Sequence, residues 1–132
     1  MRALLDTHVL LWWLNGDPRF SRSHQEVIEA ASEDEPLWLS DITLWEIATL
    51  VSLGRIGLDL PLRDWLERAA APPLVQCLPI HPAVAAEVAA LPSTFHRDPA
   101  DRIIVASARV LGATLLTQDR RIIDAGVVQT LT

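Results

Sequence analysis

Ala3-Leu4-Leu5-Asp6-Thr7-His8-Val9-Leu10-Leu11-Trp12 is a short apolar run, an acid, and then a stretch with helical character. Ala3–Leu5 does not alternate polar with apolar, so it reads as a strand buried on both faces. Thr7 is placed to cap a helix over His8–Leu14, which Asn15-Gly16 stops. Asp6 therefore sits where a strand gives way to a helix. The same grammar returns near the other end of the chain. There Ala113-Thr114-Leu115-Leu116-Thr117 is a buried strand, Gln118-Asp119 follows, and a short helix runs to Ala125.

Between these two units the pattern repeats. Ser21 opens a helix expected to run to about Glu33. Pro36-Leu37-Trp38-Leu39 is a strand, and Ser40-Asp41 cap a helix carrying Glu46 that Gly54 ends. Pro61 starts a helix through Trp65, Leu74–Leu78 is a strand, and Pro82 opens an alanine-rich helix to about Leu91. Asp98-Pro99-Ala100-Asp101 is a strong helix start, with Asp98 as N-cap and proline in the first turn, and this helix stops at Gly112. Val127–Leu131 is the last strand. Short unalternating strands separated by helices predict an α/β, three-layer domain spanning residues 1–132, with a central parallel sheet flanked by helices.

In such a fold the chain turns toward function at the carboxyl edge of the sheet. Asp6 and Asp119 follow strands onto that edge, and Glu46 and Asp101 lie in the early turns of helices that begin there. Each acid alone has an ordinary structural use: Asp6 as a cap, Asp119 in a turn, Asp101 as half of a capping box. Glu46, between Trp45 and Ile47, is expected to be partly buried and to need a partner. Four carboxylates converging without a counter-charge cannot all stay ionised. A hard divalent cation such as Mg²⁺ supplies that charge through oxygen ligands and can activate water against a phosphodiester. Asp98 is read as an N-cap first and a supporting acid second. Arg97, Arg102, Arg120 and Arg121 flank the acids and are candidates for phosphate contacts.

Composition removes competing classes. The net charge is −6, from 17 acids and 11 bases, which argues against a bulk electrostatic nucleic-acid binder. Every base is an arginine. Without lysine there is no P-loop, no aspartyl-phosphate phosphatase and no receiver domain, and no dinucleotide or serine-hydrolase motif occurs. His8, His24, His81 and His96 have no zinc-like spacing, and His8 is expected to be an exposed first-turn histidine. Cys77, the one cysteine, reads as a buried small residue. With no apolar segment long enough for a membrane and no signal-peptide pattern, the expected compartment is the cytoplasm.

Leu4-Leu5-Asp6-Thr7-His8-Val9-Leu10-Leu11-Trp12 resembles the opening of PIN-domain proteins, and especially of VapC toxins from bacterial toxin–antitoxin pairs. Ser40 to Ala48, followed by Gly54-Arg55-Ile56, is similar to the segment holding that family's glutamate. His96-Arg97-Asp98-Pro99-Ala100-Asp101-Arg102-Ile103-Ile104-Val105-Ala106 matches the segment of its third acid, and Leu115-Leu116-Thr117-Gln118-Asp119 that of its fourth. The resemblance implies a Mg²⁺- or Mn²⁺-dependent endoribonuclease whose metal-binding and catalytic acids are Asp6, Glu46, Asp101 and Asp119. It also implies an antitoxin partner that lays a helix in an apolar groove. The alternative is a catalytically silent PIN-like module that binds RNA or antitoxin, against which the presence of all four acids argues. A structure-specific DNA nuclease would need more chain than this.

Val9–Leu14 is apolar around its whole circumference, and Trp12 and Trp13 point about 100° apart, so they cannot both face one core. That uncovered face predicts protein interfaces, a small protein partner and a homodimer. Trp38 and Trp45 are expected in the core.

Overall fold

The computed structural model describes residues 1–132. Its five strands are β1 (Ala3–Leu5), β2 (Leu37–Ser40), β3 (Val75–Leu78), β4 (Thr114–Leu116) and β5 (Thr130–Leu131). The helices are α1 (Thr7–Asn15), α2 (Arg22–Glu29), α3 (Asp41–Ser52), α4 (Leu62–Ala69), α5 (Pro82–Ala90), α6 (Pro99–Leu111) and α7 (Arg120–Ala125). All strand pairs are parallel, in the order β3-β2-β1-β4-β5. β1 is central, with Ala3, Leu4 and Leu5 opposite Thr114, Leu115 and Leu116.

Period-two alternation divides β1 between two cores. Ala3 and Leu5 join Leu10, Leu39, Ile47 and Trp65 on the face covered by α1 to α4. Leu4 points the other way, to Ile104, Val105, Leu115 and Ile122 beneath α6 and α7. Because both faces are covered, the strands can be continuously apolar, as the sequence reading required.

The chain builds outward from β1 to β3, then crosses back to lay β4 on the other side of β1. The β1/β4 boundary is thus the point where the strand order reverses, and such crevices at the carboxyl edge are where parallel sheets bind ligands. No helix is long and apolar enough to cross a membrane.

Three boundaries differ from expectation. α2 ends at Glu29, because Ser32 closes a turn in which its Oγ accepts from the Glu35 N–H at 3.2 Å. β5 shrinks to two residues, since Val127 and Val128 pack under the sheet against the Leu115 core instead of pairing. Asp6, rather than Thr7, caps α1.

Candidate metal centre

Asp6 lies one residue beyond β1, and its N–H still bonds to Leu116 O at 3.0 Å, continuing the β1–β4 pairing. The carboxylate is 3% exposed as a residue. Its Oδ1 accepts from the Thr7 N–H at 2.8 Å and its Oδ2 from the Thr117 hydroxyl at 2.7 Å. The Thr117 hydroxyl also accepts from the Asp119 N–H at 3.0 Å, so one buried side chain ties the acid after β1 to the acid after β4. Thr7 meets Thr43 of α3 hydroxyl to hydroxyl at 3.1 Å.

Asp98 is the N-cap of α6, with Oδ1 accepting from the N–H groups of Ala100 and Asp101 at 3.0 and 3.2 Å. The Asp101 carboxylate does not close a capping box. Its Oδ2 accepts from His96 Nε2 at 2.7 Å and from Arg121 Nη2 at 3.3 Å. Glu46, in the second turn of α3, presents a buried Oε1 that has no hydrogen-bond partner. A buried acceptor left empty is costly unless something else fills it. Ligand atoms of Glu46, Asp98 and Asp101 lie within 4.8 Å of one another, as do those of His96, Asp101 and Asp119.

Crowding sets the electrostatics. Burial pushes the Asp6 carboxyl up to about 6, the Thr117 and Thr7 hydrogen bonds pull it down, and repulsion from Asp119 and Asp98 adds to the rise. Burial likewise raises Glu46, against the pull of the Thr7 hydroxyl and with repulsion from Asp6, Asp101 and Asp98. Asp101 rises for the same reasons, opposed by its His96 hydrogen bond. Burial would raise Asp119 too, but hydrogen bonds from the Arg121 side chain and backbone outweigh it, and this acid falls below the ordinary range. A carboxylate cluster that raises its own members, with one empty buried oxygen, fits a hard divalent cation.

The four acids named from sequence therefore gather at one edge, and Asp98 joins them closer than an N-cap role alone requires. His8 is not the exposed first-turn histidine expected. It is half-buried, its Nε2 accepts from the Gln118 N–H at 2.9 Å, and Nδ1 faces Asp6 Oδ2 at 3.5 Å. The accepted N–H puts the neutral ring's proton on Nδ1, toward Asp6. His96, the ring on Asp101, lies in the coil before α6, five residues from its partner, where no helical spacing relates the two. Its position two residues before a predicted Asp-Pro helix start was the one available hint.

Trp45 is a correction: it is 61% exposed, not core. α3 is apolar on several sides, and inward-facing Ile47 and Thr43 turn Trp45 to solvent. Trp38 packs against both cores on the α5–α7 face. Trp12 and Trp13 are both half-buried, Trp13 against the core and Trp12 beneath the Arg19 guanidinium at 4.7 Å. Cys77 is free and half-buried. Of the flanking arginines, Arg102 is spent on the carbonyls of Phe95 and His96 at 3.1 and 3.3 Å, where it fastens the His96 loop to α6.

The pattern that defines the PIN domain family matches residues 3–128. Ribonuclease VapC22 of Mycobacterium tuberculosis (strain ATCC 25618 / H37Rv) is 42% identical over 120 residues, covering 91% of this chain and 88% of that protein. This chain belongs to the PIN-domain family. Its fold is similar to that of a chain in the structure of VapBC2 from Rickettsia felis bound to a DNA fragment from their promoter, at a TM-score of 0.74 and 15% identity over 99% of this chain and 98% of that one. A toxin–antitoxin complex from Klebsiella pneumoniae matches at a TM-score of 0.68 and 20% identity, over 98% and 96% of the two chains.

Proposed function

We propose that this chain is a divalent-metal-dependent endoribonuclease, the toxin of a toxin–antitoxin pair, with Asp6, Glu46, Asp101 and Asp119 as its metal-binding and catalytic acids. One observation carries the reading: Glu46 Oε1 is buried without a partner among carboxylates that raise one another. The 42% identity to a protein named a ribonuclease supports RNA as the polymer.

Glu46 and Asp101 would hold Mg²⁺ or Mn²⁺ most directly, with Asp98 and Asp119 at its margins. A bound divalent cation lowers the pKa of a water and offsets the negative charge that grows on a phosphodiester under attack. The chain's own groups prepare that reaction. Thr117 and the Thr7 N–H fix both oxygens of Asp6, which orients this carboxylate while each oxygen keeps a lone pair for the ion. His96 turns the Asp101 carboxylate by holding Oδ2, which leaves Oδ1 for a ligand. Arg97 and Arg120 are exposed on the rim, where a guanidinium meets phosphate well.

Residues 1–132 act as one domain, in the cytoplasm, within a homodimer silenced by a small antitoxin. Exposed Trp45, one residue before Glu46, supports this reading, because a large apolar side chain in water beside a site is a favoured anchor for a partner.

The test is purified protein, freed of any co-purifying partner, incubated with structured RNA. Cleavage is expected with Mn²⁺ or Mg²⁺, absent with chelator, and absent in Glu46→Gln. Intact RNA under all conditions, with retained RNA or antitoxin binding, would instead support the silent binding module.

A further inference from the structure

Arg121 stands where a cation is expected. Its Nη2 lies 2.9 Å from Asp119 Oδ2 and 3.3 Å from Asp101 Oδ2, and its Nε lies 3.3 Å from Asp119 Oδ1. Both oxygens of Asp119 and one of Asp101 are thereby taken. Part of the ligand set is closed by a group of the chain itself.

An Asp-x-Arg clasp is also a local turn device, and the chain contains a second one. Arg19 binds both oxygens of Asp17 in the same manner, but it makes no ion pair with another acid. Arg121 goes further, to an acid that lies 20 residues away and is 7% exposed. The Arg121 side chain is itself 61% exposed, so it can leave without opening the core. An ion pair at that exposure is weak, and a divalent cation competing for the same oxygens meets little resistance.

We propose that Arg121 is a resident counter-cation of the metal centre: it neutralises Asp101 and Asp119 while no ion is bound, yields their oxygens when a divalent cation enters, and then holds a phosphate of the RNA. The inference rests on the reading of the acids as a metal centre. No group has to be brought in for the second role, because the guanidinium freed from a carboxylate presents the same fork to a phosphate. In this way the chain offsets its crowded acids before metal arrives and reuses the charge afterwards.

The two roles predict effects of opposite sign. In calorimetric titrations without RNA, Arg121→Gln should bind Mn²⁺ about two- to fivefold more tightly than wild type, since a surface-strength competitor is gone. At saturating Mn²⁺ the same variant should cleave RNA about tenfold more slowly or worse, having lost a charge-assisted phosphate contact. Arg121→Lys keeps the charge without the fork, and should fall between wild type and Gln in both measurements. It also covers the case in which Gln loosens α7. Arg120→Gln, on the same helix but without an ion pair, should bind Mn²⁺ as wild type does. Unchanged or weaker Mn²⁺ binding in Arg121→Gln, or full cleavage by it at saturating Mn²⁺, overturns this proposal alone. If wild type and Arg121→Gln both bind no Mn²⁺, the metal centre and the proposal fall together.

Discussion

The two Asp-x-Arg clasps are nearly superposable in their bonding yet differ in what they can do. Asp17 accepts from the Arg19 backbone at 2.9 Å and from its Nε and Nη2 at 3.0 and 2.8 Å. Asp119 accepts from the Arg121 backbone at 2.9 Å and from its Nε and Nη2 at 3.3 and 2.9 Å. Both acids are held below the ordinary carboxylate range, Asp17 at about 2. The first clasp closes the turn after α1, and its arginine stacks on Trp12. The second opens α7 beside β4, where the strand order reverses and other acids already crowd. A short motif thus takes its meaning from the residues that the sheet places opposite it.

The sharpest way to break this comparison is to remove Asp101, the acid that only the second clasp touches. Asp101→Asn should reduce metal-dependent RNA cleavage by about a thousandfold, equivalent to roughly 4 kcal/mol of barrier. Asp17→Asn should leave the rate where it was. Equal losses in the two variants would mean that the acids act through folding alone.

Next in size is the pH dependence that one centre should have and the Asp17 turn should lack. With its folded pKa raised to about 6, Asp6 keeps its proton over a range where the unfolded chain has lost it. The stability this confers is complete below about pH 4 and disappears as pH rises through 6. Glu46 and Asp101 are raised and act in the same direction, while lowered Asp119 acts against them, losing its contribution as pH falls. Metal-free protein should therefore lose on the order of 2 kcal/mol between pH 4 and 6.5 through this cluster. Millimolar Mg²⁺ or Asp6→Asn should flatten the curve, and chemical denaturation across that range would expose a failure.

Thr117 is the cross-link that Asp17 has no counterpart to. Thr117→Val leaves Asp6 Oδ2 and the Asp119 N–H unpaired in a buried site, at a cost of about 1–3 kcal/mol in a urea melt. A near-neutral result would show that water replaces the hydroxyl. The smallest effect belongs to Arg19→Gln. It should change neither Mn²⁺ affinity nor cleavage, so a clear shift in either would extend the site beyond Trp12.

Much of the site was legible because its rules are local. A carboxylate one or two residues past a buried strand must reach the strand's carboxyl end, which located Asp6 and Asp119. Asp98-Pro99 and Ser40-Asp41 announced helix starts through caps that need only a few consecutive residues, and this located Asp101 and Glu46. Where the reading failed, the deciding contact was distant in sequence. Trp45 and Ile47 are equally apolar on α3, and only the sheet's position chose which one to bury. His8 found its acceptor role 110 residues away at Gln118; His96 is the near exception, only five residues before Asp101 but outside any helical register with it.

Taken alone, the sequence determined which elements form, that the sheet is parallel, and which edge collects the acids, since periodicity, capping and strand ends are properties of neighbouring residues. Tertiary structure alone decided that Glu46 Oε1 would be left empty, that Thr117 would join two acids, and that Arg121 rather than Arg19 would face them. Those outcomes depend on distances between residues that the chain's order does not relate, and they were fixed only when β4 packed beside β1.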